Sequence, residues 1–287
     1  MKCIQQATTV FKFDTSQSMK KSNSQAFDDQ NRHSLTNDVA ASVAFLTRLP
    51  VAIEYIRPNI ATAVRGFAIV GLIVGLFSGV TFWLATSFGL SANIAGFLAI
   101  AVSFLITGGL HEDGLADVCD GFGGGWSRDR KLEIMRDSSI GTYGTFALII
   151  STALRGLGFG AIVGNEASLI ETVLIFASVG GLSRIPIVYM MYQLTPSRPD
   201  GRAVEAGRPS RQNMRQALLI GAGTGFLFLL LSVGFSPAVL AIFASLSAYF
   251  VVKTICLAQI GGYTGDVLGM LQQISEIFII LLLVAII

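Results

Sequence analysis

Thr107-Gly108-Gly109-Leu110-His111-Glu112-Asp113-Gly114-Leu115-Ala116-Asp117-Val118-Cys119-Asp120-Gly121 sets a run of carboxylates directly against the end of an apolar segment that covers residues 92–110. An apolar run of about 20 residues is what a helix needs to cross a hydrocarbon layer of about 30 Å. Working outward, comparable segments recur at roughly 66–84, 142–162, 169–192, 216–234, 237–257 and 271–287. The chain therefore reads as all-α, a polytopic membrane bundle of about seven transmembrane helices. Composition agrees: 52% of residues are hydrophobic and only 13% charged, far from the balance of an ordinary soluble domain. Residues 1–36 are polar, with no apolar run suited to a signal-peptide core, and are expected to form a disordered extension. Residues 37–287 are then one integral membrane domain. The apolar stretch Val39–Leu49 is too short to cross and is expected in the interface or packed on the bundle.

Charge placement sets the expected orientation. The connectors at 87–91 and 235–237 carry no charge, and that at 164–168 carries only Glu166. The alternate connectors hold Arg57, Arg65, Arg128, Arg130, Lys131, Arg136, Arg198, Arg202, Arg208, Arg211 and Arg215. By the positive-inside rule the amino terminus is cytoplasmic and an odd number of spans leaves the carboxyl terminus outside. The same rule puts three polar elements on the cytoplasmic face: the acidic motif, the arginine-rich loop 193–215 and Gly261-Gly262-Tyr263-Thr264-Gly265-Asp266. The net charge of +2 is too small to suggest a nucleic-acid partner, so lipid is the expected surrounding.

Residue chemistry narrows the function. Cys3, Cys119 and Cys256 follow no repeated spacing, which argues against a disulfide framework or a zinc knuckle. With His33 and His111 the only histidines, a divalent ion must be held by oxygen, and Mg²⁺ is the expected cofactor. Asp113, Asp117 and Asp120, spaced four and three apart, fall on one helical face, and Asp129, Glu133 and Asp137, spaced four and four, make a second. Joined through Gly121-Phe122-Gly123-Gly124-Gly125, the two faces can oppose one another as a hairpin. Carboxylates so close repel unless a cation neutralises them, and one or two Mg²⁺ ions there would hold a phosphate or diphosphate. The competing reading is a hydrated loop whose acids pair with Arg128, Arg130, Lys131 and Arg136.

Other residues are ambiguous on sequence alone. His111 can bind phosphate, relay a proton, or cap the preceding span in a structural role. Cys119 reads as packing. Arg155 and Arg184 stand inside apparent spans, where a charge needs a polar interior or a partner, and both are expected to face the same cavity. Arg184 would grip phosphate or pair with a carboxylate, whereas Arg155, nearer the cytoplasmic end, could snorkel. Thr264 and Asp266 offer polar contacts beside glycines, Asp266 joining the metal or capping the last helix. Arg202 belongs to a run that could grip an anionic substrate. The glycines within spans, among them Gly71, Gly75, Gly156 and Gly158, read as close helix packing.

These residues closely resemble those of the cobalamin synthase family, the membrane-bound adenosylcobinamide-GDP ribazoletransferases. The matching pieces are Phe45-Leu46-Thr47-Arg48-Leu49-Pro50, then Gly108 through Asp117 with Asp120-Gly121, Arg128-Asp129-Arg130, Glu133 through Ser138 with Gly141-Thr142, and Gly261 through Asp266 with Leu268-Gly269. They run in order over about residues 40–287, while the polar extension departs from the family's pattern. The second residue of the histidine motif varies in that family, so no catalytic role is carried to Glu112. The resemblance implies joining of adenosylcobinamide-GDP to α-ribazole, or to its 5'-phosphate, giving adenosylcobalamin, or its 5'-phosphate, and GMP. It implies Mg²⁺ and a location in the bacterial inner membrane. Mapped onto this chain, Asp137 is the expected base and His111 the other catalytic candidate. Asp113, Asp117, Asp120, Glu133 and Asp129 are the expected metal ligands, and Arg136, Arg155, Arg184, Arg202, Thr264 and Asp266 the expected substrate contacts. The acids also look similar to the CDP-alcohol phosphotransferase signature, whose arginine and later spacing are missing here. A transporter is the rival of another class, but the acids cluster beyond a span rather than at midplane. A homo-oligomer is left open.

Overall fold

A computed structural model describes residues 34–51 and 60–287. Residues 1–33 of the polar extension lie outside the described residues. Helix α1 (Leu35–Leu46) begins where that extension was expected to end, and packs on the turn Val64–Gly66 that leads into the first span. The apolar helices are α2 (Phe67–Ser87), α3 (Ala92–Thr107), α6 (Thr142–Val163), α7 (Leu169–Leu182) continuing as α8 (Ile185–Gln193), α10 (Arg211–Val233), α11 (Phe235–Ile260) and α12 (Gly265–Ile286). Between them lie the acidic helix α4 (Leu110–Gly124) and two short helices, α5 (Arg128–Ile134) and α9 (Arg202–Ala206). No strand occurs among the described residues.

The helices start where hydroxyl side chains can take an orphan amide. Ser34, Ser91, Ser127, Ser168, Ser210 and Thr264 each accept from the backbone N–H three residues on, opening α1, α3, α5, α7, α10 and α12. Pro186 sits in the first turn of α8, where the missing N–H costs nothing, and marks the break at Ser183-Arg184.

Among the described residues, six helical segments are long and apolar enough to cross a membrane, and a seventh crossing counts α3 and α4 as one bent pair. The span expected at 92–110 stops at Thr107. Gly108 and Gly109 both take left-handed backbone, with φ of 65° and 70°, and α4 leaves at 93° to α3. Only glycine adopts two such conformations in succession at little cost. The last helix starts at Gly265 rather than near 271, because Thr264 supplies its cap.

Close approach between spans rests on glycine, as the spacing suggested. A methyl group at Gly71 would overlap the Gly180 carbonyl of α7, and one at Gly96 would overlap the Gly156 carbonyl of α6. Two apolar clusters result. Phe67, Val118, Met190, Tyr249 and Val267 belong to one, and Phe82, Phe159, Phe176, Ile279 and Leu283 to the other. Along α12 the buried members of the clusters take 267–271 and 279–283, and Gln272, Gln273 and Glu276 form a polar layer between them. Outward positions such as Phe146, Ile149, Leu219 and Phe243 are exposed and apolar, as lipid-facing surface is.

Candidate active site at one end of the bundle

The chain order carries α4, α5, the loop 194–210 and the turn 261–264 to the same end of the bundle. Backbone hydrogen bonds join two of them: Ser197 N–H donates to Tyr263 O at 2.8 Å and Tyr263 N–H to Thr195 O at 3.3 Å. Gly262 lies against the Thr195 carbonyl, where a side chain would collide. Two arginines sew the rest together. Arg128 donates to Ile260 O at 3.0 Å and to Ser197 O at 2.5 Å, and Arg198 donates to Leu132 O at 2.8 Å.

Behind this end lies a cavity of about 980 Å³, within the range of a substrate pocket. Its walls carry Asp113 and Asp117 of α4, Asp266 of α12, the arginines Arg48, Arg198 and Arg202, and an apolar side with Phe45, Phe104 and Met191. Asp113 and Asp117 are one helical turn apart on α4, and Gly114 brings the Asp266 backbone against that turn, since a Cβ there would meet Asp266 O. Asp117 is half-buried and stands in the negative field of Asp113, Asp266 and Asp120, opposed by Arg198. Thr264 caps α12 and its hydroxyl donates to Asp266 at 3.1 Å, while the Arg198 guanidinium stands 3.9 Å from the same carboxylate. Burial lowers the Arg198 pKa and Asp266 raises it in return.

His111 lines the same wall. It is buried, and its Nε2 has no hydrogen-bond partner. A buried imidazole nitrogen without a partner is rare in a folded protein.

The expected second acidic face does not close on the first. Helix α4 continues through Gly124, so the glycines that were read as a turn are mostly helical, and the turn falls at 125–127. Burial of Leu132 and Met135 directs α5 so that Asp129 and Glu133 point outward, 91% and 68% exposed. Asp129 pairs with Arg128 at 3.3 Å and Glu133 with Arg130 at 2.8 Å, which is the hydrated-loop alternative realised for this face. Asp137 is exposed and accepts from Ser139 N–H at 2.9 Å, which holds it below the usual carboxylate range. Its neighbour Ser138 lines the cavity, but Asp137 does not. Arg136 pairs with Asp200 at 2.5 Å. Asp120 is occupied as well: it accepts from Gly141 N–H at 2.7 Å and Gly144 N–H at 2.8 Å, capping α6 from outside.

Arg155 and Arg184 also depart from expectation, since neither lines the cavity. Arg155 lies about 20 Å along α6 from its start at the site end, too deep to snorkel there. It pairs with Glu112 at 3.0 Å and Glu276 at 3.3 Å and donates to Gln273 at 2.8 Å. Gln273 donates in turn to Glu112 at 3.0 Å. Arg184 donates to Gly180 O at 2.7 Å, and Gln272 joins Glu276 to Ser183. Glu276, Gln272 and Gln273 were missed because they sit in the last apolar run; a carboxylate and two amides within five residues there were the available signal.

The cavity's donor set is oxygen from carboxylates, which suits a hard cation. Among the described residues no group of three or more His, Cys, Asp or Glu side chains makes a ready metal cage. Mg²⁺ does not require one, as it binds through one or two carboxylates and completes its shell with water and substrate phosphate. Asp113, Asp117 and Asp266 fit that mode.

A family model described as cobalamin-5-phosphate synthase matches residues 38–284. An adenosylcobinamide-GDP ribazoletransferase of Mesorhizobium japonicum is 40% identical over 248 residues, covering 86% of this chain and 92% of the relative. Proteins of the same name from Bradyrhizobium diazoefficiens and Rhizobium etli are 39% and 40% identical, over 86% and 84% of this chain and 93% of each relative. No solved structure gives a significant match.

Proposed function

The chain belongs to the cobalamin-5-phosphate synthase family, and from that premise we propose that it joins adenosylcobinamide-GDP to α-ribazole or α-ribazole 5'-phosphate, releasing GMP. The observation that carries this reading is the juxtaposition of Asp113, Asp117 and Asp266 in the lining of a large cavity that also carries arginines and apolar side chains. Such a cavity suits a bulky donor with a diphosphate, the acids and arginines taking the charged part and the apolar side the rest.

Asp113, Asp117 and Asp266 would hold Mg²⁺, which supplies neutralisation of the diphosphate and of the charge that develops on the leaving GMP. The protein's own groups do the remainder. Arg198 and Arg202 sit beside Asp266 and add positive charge where phosphate oxygens would lie. Thr264 keeps the Asp266 carboxylate oriented through its hydroxyl. The attacking 5'-hydroxyl must lose a proton as its oxygen bonds to phosphorus and the bond to the GMP oxygen breaks. Two groups are candidates to receive it: His111, a residue of the cavity lining, and Asp137, whose neighbour Ser138 belongs to that lining. The pH–rate profiles of His111→Asn and Asp137→Asn separate them, because only loss of the true acceptor abolishes the limb that reports its deprotonation.

We place the site end at the cytoplasmic face of the inner membrane. Support comes from its connectors, which carry Arg128, Arg130, Lys131, Arg136, Arg198 and Arg202, whereas connectors at the other end carry no lysine or arginine.

The test is direct. Purified full-length protein in lipid nanodiscs, given labelled adenosylcobinamide-GDP, α-ribazole and Mg²⁺, is expected to yield labelled adenosylcobalamin and GMP, and to stop when the metal is chelated. No product under those conditions, with transfer from a CDP-alcohol donor instead, would replace this reading by the related lipid-headgroup chemistry.

A further inference from the structure

One charged group in the cavity has no task in the scheme above. Arg48 follows α1, and its backbone N–H donates to Ile106 O at 2.7 Å, fastening residue 48 to the last turn of α3. Its side chain lies across Gly108, where an added Cβ would come within 2.8 Å of Arg48 Cγ and closer still to Nε. Gly108, at the bend of α3 into α4, thus also makes room for this side chain. Arg48 lines the cavity along with Asp113 and Asp117, yet its guanidinium has no hydrogen bond or ion pair among the described residues.

The contrast with its neighbours is what gives this weight. Arg128 and Arg136 are engaged by carbonyls and Asp200, and Arg198 by Leu132 O and the nearby Asp266. Arg202 lies against Gly265 and acts on Asp266. Arg198 and Arg202 act on Asp266, whereas Arg48 makes no ion pair with a carboxylate among the described residues. Guanidinium offers a planar fork of N–H donors matched to phosphate oxygens. The acid wall with its cation would neutralise one part of a diphosphate, and Arg48 approaches from the α3–α4 bend.

We propose that Arg48 is a phosphate-binding residue for a substrate, an inference that rests on the proposed transferase reading for the identity of the ligands. The phosphate comes either from the diphosphate of the donor or from the 5'-phosphate of the phosphorylated acceptor.

Equilibrium binding to full-length protein in nanodiscs, wild type against Arg48→Gln and Arg48→Lys, distinguishes the two sources. Three ligands are used with Mg²⁺: adenosylcobinamide-GDP, α-ribazole 5'-phosphate, and α-ribazole as the phosphate-free control. Arg48→Gln is expected to weaken one phosphate-bearing ligand about tenfold, the scale of one charge-assisted hydrogen bond, with α-ribazole unchanged and partial recovery in Arg48→Lys. Weakening of the donor assigns Arg48 to the diphosphate, and weakening of α-ribazole 5'-phosphate assigns it to the acceptor. Unchanged affinity for both, or equal weakening of all three ligands, overturns the proposal. Wild-type turnover is measured in parallel: binding without product would defeat the transferase reading while the affinities still decide the role of Arg48.

Discussion

Carboxylates in this chain divide by what already occupies them. Asp113, Asp117 and Asp266 face the cavity, and Arg198 lies near Asp266. Asp120 caps α6, and Asp129, Glu133 and Asp137 are held by arginines or a backbone amide on the outer surface. Replacing Asp113, Asp117 or Asp266 by Asn is therefore expected to cut turnover by on the order of 10²–10³ with the thermal midpoint nearly unchanged. Glu133→Gln is expected to stay close to wild type, since an exposed pair contributes little. Asp120→Ala should instead lower stability by about 1–2 kcal/mol, read by denaturant unfolding, because two α6 amides lose their acceptor. The sequence made the acids visible but not their assignment. Spacing puts Asp113, Asp117 and Asp120 on one face, yet cannot say that the third meets another helix's amino terminus 21 residues later.

At the scale of elements, the apolar runs located the spans, and their ends were the less legible part. A run of hydrophobic residues continues through Leu110, but backbone conformation at Gly108 and Gly109 ends α3 three residues sooner. The last helix begins at a threonine cap ahead of its apolar portion, so Asp266 belongs to α12 rather than to a loop. That placement is what brings Asp266 to α4, through the contact at Gly114. Gly114→Ala is expected to move the two elements apart and reduce kcat well beyond any loss of stability, measured as turnover against thermal midpoint in the same preparation. The glycine pairing of α2 with α7 predicts a different signature for Gly71→Val: overlap with the Gly180 carbonyl costs about 1–3 kcal/mol or more, and activity falls only as folded protein is lost.

The whole molecule is a membrane bundle with a polar layer through its middle and a charged cavity at one end. The layer was half legible: Arg155 and Arg184 announced a buried partner, but helical adjacency alone could not choose Glu112 from α4 and Glu276 from α12. Glu276→Leu is expected to destabilise by about 3–5 kcal/mol, because Arg155 then keeps a buried charge with one carboxylate fewer. Replacing Arg155, Glu112 and Glu276 together by apolar residues of similar size should recover most of that loss.

The account stands or falls on a divalent cation seated between α4 and the start of α12. Anomalous scattering from Mn²⁺ in crystals grown with the diphosphate donor tests it: the account predicts a peak within about 2.2 Å of the Asp113 or Asp117 carboxylate, on the Asp266 side of the cavity. A peak at Asp129 or Glu133, or none with donor bound, would contradict it.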